Sequence, residues 1–177
     1  MYKWIYETPT RFSDILLLGD GNNLTGLYFL GSRDATKHQG DCEQKELPIF
    51  TETIKWLDIY FGGRVPDYLP KYRIDNLTSF RKDVIDIMLS IPYGETVTYG
   101  QIAKKIAEKN GIDKMSAQAV GGAVGWNPLC LLIPCHRVVG SDGSLTGYGG
   151  GMRNKIALLE LEGHDMRNFI VPIGNNP

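Results

Sequence analysis

Ile133-Pro134-Cys135-His136-Arg137-Val138-Val139-Gly140 places a cysteine beside a histidine in the middle of an apolar stretch. Leu131-Leu132 leads into it, and Val138-Val139 is a β-branched pair suited to a strand. A buried strand has no need of Cys-His-Arg at its centre. Such a conflict between local pattern and local chemistry is where function is expected. Cysteine is the strongest nucleophile among side chains near neutral pH once it is deprotonated. An inert buried thiol would leave the adjacent histidine and arginine unexplained.

Adjacency raises a geometric difficulty. In extended backbone, neighbouring side chains point to opposite faces, so direct contact between Cys135 and His136 is not expected. A turn at Pro134 or a bridging water would restore communication. A histidine acting as base needs an acidic partner on its far nitrogen. Glu160 and Glu162, at the end of the last predicted helix, are the candidates.

Outward from this stretch, the C-terminal half reads as helical. Thr78 or Ser79 starts a helix with Phe80, Val84, Ile87, Met88 and Ile91 inward, ended by Pro92-Tyr93-Gly94. Thr98-Tyr99-Gly100-Gln101 is a capping box, opening a helix that buries Ile102, Ala103 and Ile106 and stops at Asn110-Gly111. Ser116 opens the next helix, which runs through Gly121-Gly122 to Trp126-Asn127-Pro128. Helix, glycine-containing turn, helix is a helix-turn-helix pattern. The glycine pair costs roughly 2 kcal/mol relative to alanine. Close helix packing and a smooth face for a nucleic-acid backbone are both open explanations. Beyond the central stretch, Thr146-Gly147-Tyr148-Gly149-Gly150-Gly151 lacks the Gly-Lys-Ser/Thr of a phosphate loop and suits a flat ligand. A helix from about Met152 to Glu162 ends at Gly163, and the tail from Asn168 to Pro177 reads as irregular.

The N-terminal half reads as a small sheet with a helix. Asp14–Gly19 and Leu24–Leu30 flank the turn residues Asp20-Gly21-Asn22-Asn23, with a further strand near Lys3 to Glu7. Residues 32–46 read as a surface loop. His38 and Cys42 are two potential ligands without a partner pair, so no metal site is expected. Pro48 opens a helix with Phe50, Ile54, Leu57 and Phe61 at helical spacing, stopped by Gly62-Gly63. Trp56, Tyr60 and Phe61 are expected to pack on the hairpin rather than stack on bases. The expected division is residues 1–77, with 62–77 as linker, and residues 78–177.

The 177 residues are 42% hydrophobic and 22% charged, ordinary globular values. Net charge is −1 overall, −2 over residues 1–80 and +1 over 81–177, so any nucleic-acid contact must be local. The cysteines Cys42, Cys130 and Cys135 form no C-x-x-C pair and their odd number fits no disulfide framework. Leu16-Leu17-Leu18 is too short for a signal-peptide core, and no run approaches the roughly 20 apolar residues of a membrane span. These features predict a cytoplasmic protein with free thiols and no membrane partner.

Pro134-Cys135-His136-Arg137-Val138, after Ala119-Val120-Gly121-Gly122-Ala123 and Asn127-Pro128 and before Gly147-Tyr148-x-Gly150-Gly151 and Glu162-Gly163, resembles the O6-alkylguanine-DNA alkyltransferases. The resemblance spans about Thr78 to Gly163. It implies an α/β (α+β) chain whose C-terminal domain is helix-turn-helix and winged-helix-like. It implies that Cys135 accepts an alkyl group from guanine O6, or from thymine O4, in one irreversible turnover with no cofactor. His136 would act on Cys135 through water, Glu162 would orient His136, and Asn127 would tie the turn to the active-site segment. Tyr99 would donate a proton to the departing guanine. The carbonyls of Cys135 and Val138 would accept from the guanine amine, with Tyr148, Gly149 and Cys130 lining the pocket. The implied partner is double-stranded DNA carrying O6-alkylguanine, bound by a monomer through the minor groove with its base flipped out. Ser116, Gln118, Ala119, Gly122, Ala123 and Arg137 would meet the DNA. The family often has arginine where this chain has Gln118, proline at Cys130 and serine at Gly149. A non-catalytic damage-binding relative is disfavoured by Cys135, and a cysteine hydrolase would turn over repeatedly.

Overall fold

The computed structural model describes residues 1–38 and 40–173. Three antiparallel strands open the chain: β1 (Tyr2–Tyr6), β2 (Ile15–Gly19) and β3 (Leu24–Phe29). The β2–β3 hairpin is nucleated by Asp20, whose carboxylate accepts from the backbone N–H groups of Asn22 and Asn23 at 2.9 and 2.8 Å. A two-residue strand, β4 (Glu43–Gln44), pairs parallel with β1, giving the order β3-β2-β1-β4.

Residues 32–46 are not simply a loop. Arg33–His38 forms a short helix, α1. Ser32 Oγ accepts from Ala35 N at 3.1 Å, and Ala35 is fully buried. Asp34 in the first turn and Lys37 and His38 in the last complement the helix dipole. No group of three or more potential metal ligands occurs among the described residues.

Helix α2 (Pro48–Phe61) starts at the proline and ends at Gly62. Its buried face is Ile49, Phe50, Thr53, Trp56, Leu57 and Tyr60. The expected stripe is therefore rotated: Ile54 and Phe61 are only partly buried, while Trp56 and Tyr60 point inward.

Residues 62–77 are irregular, with turns at both ends, and they do more than link. Tyr72 bridges Leu24, through Leu24 N to Lys71 O and Arg73 N to Leu24 O, both 2.9 Å. Further along the same strand, Leu27 N donates to Pro128 O at 2.9 Å and Cys130 N donates to Leu27 O at 3.1 Å. The segment leading to Cys135 is thus hydrogen-bonded to the edge of the N-terminal sheet. One cluster of buried side chains runs from Tyr6 through Leu57 and Val84 to Leu158, on both sides of the expected boundary.

In the second half, α3 (Ser79–Leu89) is capped by Thr78, and α4 (Tyr99–Asn110) carries the full Thr98/Gln101 capping box. Gly111, at φ 63°, turns the chain out of α4 in the left-handed region that favours glycine. The helix ends at Asn110-Gly111 as its sequence indicates, and α5 (Ala117–Gly125) follows after a short turn. A strand pair the sequence does not announce joins β5 (Val97–Thr98) to β6 (Val138–Val139) in parallel. Helix α6 (Met152–Leu161) closes the fold. Phe169-Ile170 in the tail docks beside Ser144-Leu145, with Leu145 N to Ile170 O at 2.9 Å; residues 174–177 of the expected tail lie outside the described residues. No helix among the described residues is long and apolar enough to cross a membrane.

Candidate active site

The Cys-His-Arg triplet is a single 3-10 turn, Cys135–Arg137, rather than extended chain. Pro134, at φ −79° and ψ 65°, starts it, and Arg137 N closes on Pro134 O at 3.0 Å. A 3-10 turn has about three residues per turn, so successive side chains radiate in different directions. Cys135 is 5% exposed and His136 is fully buried. Just upstream, Leu131 sits at φ 71°, uncommon for a non-glycine residue. Asn127 holds this strained segment. Its side-chain oxygen accepts from Leu129 N at 3.0 Å, and its amide donates to Ile133 O at 2.8 Å. The turn after α5 is thereby fastened to the backbone that presents Cys135.

His136 Nε2 lies 2.7 Å from Glu162 Oε1. Glu162 is buried at the end of α6 and collects further donors: Tyr60 Oη at 2.7 Å, Arg137 Nε at 2.9 Å and Nη2 at 2.9 Å, and Gly94 N at 3.1 Å. Burial pushes this carboxyl up, but the hydrogen bonds and charges of His136 and Arg137 outweigh it and hold it well below the usual carboxylate range. An ionised Glu162 accepts the Nε2 proton, which leaves Nδ1 as the basic nitrogen. His136 Nδ1 is buried with no partner among the described residues, so it is the ring atom free to act through a bridging water. Burial lowers the histidine's own pKa against the opposing pull of Glu162, so the ring is neutral at physiological pH. Glu160, the other acidic candidate, pairs with Arg11 at the surface.

The Cys135 thiol is held below its ordinary range. The neighbouring Cys130 thiol, which donates toward it, contributes most; burial opposes this, and Asn127, the Lys155 charge and Tyr148 assist. Lys155 is itself buried, donates to Val138 O at 2.7 Å, and is pushed down to about 8 by burial. The carbonyls of Cys135 and Val138 thus each hold one partner already, Val138 N and Lys155 Nζ respectively, with a second lone pair remaining. Tyr99, Cys130, Tyr148 and Gly149 gather with Cys135 around one small cavity.

Two expected DNA contacts are placed elsewhere. Arg137 is 9% exposed, locked between Glu162 and Ile91 O at 2.8 Å, because a buried carboxylate needs its counter-ion there. Ala123 is 6% exposed and belongs to the core cluster, facing inward from α5. Gln118, Ala119 and Gly122 are exposed, and Ser116 is the exposed N-cap, accepting from Ala119 N at 3.2 Å. Neither glycine of the Gly121-Gly122 pair is required by close packing against a neighbour. A Cβ at Gly121 would meet the Tyr99 ring at 3.8 Å, while Gly122 faces open space.

Tyr60 is the site residue that sequence reading misses. It reaches from α2, 102 positions from Glu162, and its periodicity marks it only as core. Replacing Tyr60 with phenylalanine removes one donor from Glu162 and leaves the ring packing. Glu162 then binds the His136 proton more strongly, so the acid limb of the pH–rate profile should move to higher pH. The stability cost should be about 1 kcal/mol. A profile that keeps its acid limb would reduce Tyr60 to a packing residue.

A helix-turn-helix protein with a buried cysteine next to a buried, hydrogen-bonded histidine–glutamate pair is the class that fold and site define. Residues 79–164 match the family described as 6-O-methylguanine DNA methyltransferase, DNA binding domain. The methylated-DNA–protein-cysteine methyltransferase of Mycobacterium tuberculosis H37Rv is 43% identical over 149 residues, covering 84% of this chain and 85% of that protein. The Methanosarcina barkeri protein of the same name is 39% identical over 168 residues, covering 94% of this chain and all of its own length. The crystal structure of Mycobacterium tuberculosis OGT in complex with DNA superposes with a TM-score of 0.75 at 34% identity, covering 92% of each chain. The chain belongs to the methylated-DNA–protein-cysteine methyltransferase family.

Proposed function

We propose that this protein repairs O6-alkylguanine in DNA by moving the alkyl group to Cys135. The observation that carries the reading is a buried cysteine followed directly by a buried histidine that is hydrogen-bonded to Glu162, behind a helix-turn-helix. Water accepts the thiol proton as His136 Nδ1 takes one from that water. The thiolate attacks the alkyl carbon, the carbon–oxygen bond breaks, and a thioether forms. Electrons released to guanine are met by a proton, for which Tyr99, beside the cavity, is the donor. No group in the site cleaves a thioether, so each protein acts once. O4-alkylthymine as a second substrate is part of this reading, as is action by a monomer in the reducing cytoplasm.

DNA lies against the exposed face of α5, with Ala119 and Gly122 giving the close approach a minor groove requires. A base in the stack cannot reach a thiol that is 5% exposed, so the target is flipped out at a cost of a few kcal/mol. Gln118 stands at the exposed start of α5, where it would face the orphaned base. Gln118→Arg should tighten binding to alkylated duplex DNA at low salt, several-fold by fluorescence anisotropy, and steepen the salt dependence by about one ion. Unchanged affinity and slope would place the flipping contact at another residue.

Labelled methyl transfer from O6-methylguanine DNA tests the function. Label should plateau at no more than one group per protein. Continued release of product beyond one equivalent would favour a hydrolase.

A further inference from the structure

The cavity beside Cys135 measures only about 10 Å³, room for about one water molecule. Pockets that take ligands of nucleobase size and above are typically several hundred Å³. A much larger groove of about 1020 Å³ runs past it, along α5 and the glycine-rich loop. The two spaces share Asp34, Gly125, Asn127, Gly147, Tyr148 and Gly149 as walls. Asp34 is the wall residue among these that comes from the N-terminal half.

Asp34 sits in the first turn of α1, and its side chain is 16% exposed. Its carboxylate is seated against Gly149 so closely that any Cβ there would overlap it. The absence of a side chain at Gly149 is what lets the carboxylate in. Little holds it there electrostatically. Arg33 Nε and Lys37 Nζ each stand 3.9 Å away and are themselves exposed, and no hydrogen-bond donor reaches it among the described residues. Loose ion pairs of this kind contribute little. The helix that carries it is six residues long and anchored by the buried Ala35 and the Ser32 cap. Both anchors flank Asp34, so the helix stays in place and the carboxylate leaves by rotation of its own side chain.

We propose that Asp34 is a specificity-determining plug: its side chain fills the mouth of the alkyl-acceptor pocket and must be displaced before an alkylated base can seat. Displacement is demanded of every substrate, and the demand grows with the alkyl group. The volume held by Asp34 and granted by Gly149 therefore limits the size of group that reaches Cys135. This inference rests on the reading of Cys135 as alkyl acceptor, so its test includes a reaction that needs no repair activity.

The test compares wild type, Asp34→Ala and the isosteric Asp34→Asn. The first readout is alkylation of Cys135 by iodoacetamide, followed by mass spectrometry of the Cys135 peptide. The second is transfer from free O6-benzylguanine. Asp34→Ala should raise both rates at least tenfold, and Asp34→Asn, which keeps the volume, should stay within about twofold of wild type. Unchanged rates in Asp34→Ala would overturn the proposal. So would an Asp34→Asn protein as fast as Asp34→Ala, since charge rather than volume would then be the barrier. Faster iodoacetamide labelling with no alkyl transfer from any guanine would keep the plug and remove the repair reading.

Discussion

Glu162→Ala should destabilise the protein by about 3–5 kcal/mol, the cost of stripping one partner from a buried ion pair. The side chain is fully buried and accepts from Tyr60, His136, Arg137 and Gly94. Without it, the Arg137 guanidinium keeps the Ile91 carbonyl and the face of Tyr93 in a largely buried site, with no counter-charge. Alkyl transfer should fall by roughly 100-fold or more, the scale of a lost general base, because the His136 tautomer is no longer fixed. Glu162→Gln should retain more stability than alanine yet still react slowly, with DNA binding little changed. The pH dependence has a definite sign. A carboxyl depressed in the folded state gives stabilisation that is complete above its unfolded value, about 4.3, and is lost as pH falls below that toward the folded value. The wild-type urea midpoint should therefore drop more steeply on acidification below about pH 4.3 than that of Glu162→Ala. Parallel curves, or a stable and reactive alanine variant, would contradict the relay.

Cys135→Ala should abolish transfer while leaving the fold and the DNA surface intact. The substitution removes one sulfur from a site that is 5% exposed, and its stability cost should be about 1 kcal/mol. The exposed residues Gln118, Ala119 and Gly122 lie on α5 and are untouched, so affinity for alkylated duplex should stay within a few-fold. Cys130 shares the cavity and offers a demanding control. Its hydrogen bond to Cys135 and then burial push the Cys130 thiol well up; the alanine variant removes the first and keeps the burial, which still disfavours the thiolate. Methyl found on Cys130 in the alanine variant, at the wild-type rate, would move the acceptor role.

Local chemistry was legible in the sequence; long-range pairing was not. Thr98 and Gln101 announce their capping box because both partners lie within one helical turn. The Asp20 turn and the Pro48 helix start are readable for the same reason. The rotated face of α2 was not, because Ile54 and Trp56 are both apolar and only the sheet decides which is covered. Arg137 reads as a DNA contact until its counter-ion, 25 residues on, folds back against it. Cys135 and His136 stood out by type, and the extended geometry assumed for them was replaced by the turn that Pro134 starts. The short helix α1 hides in a polar stretch because one alanine supplies its fully buried contact. The site therefore draws on the N-terminal half in ways that residue spacing does not reveal, through Tyr60 behind the histidine and Asp34 at the cavity mouth.

The central claim is covalent and single-use transfer to one sulfur. Intact-protein mass spectrometry after incubation with O6-methylguanine DNA reads it directly. The protein should gain the mass of one CH₂ unit, located by peptide mapping to Cys135, and should gain no more with excess substrate. An unchanged protein mass while the DNA is demethylated would contradict the account.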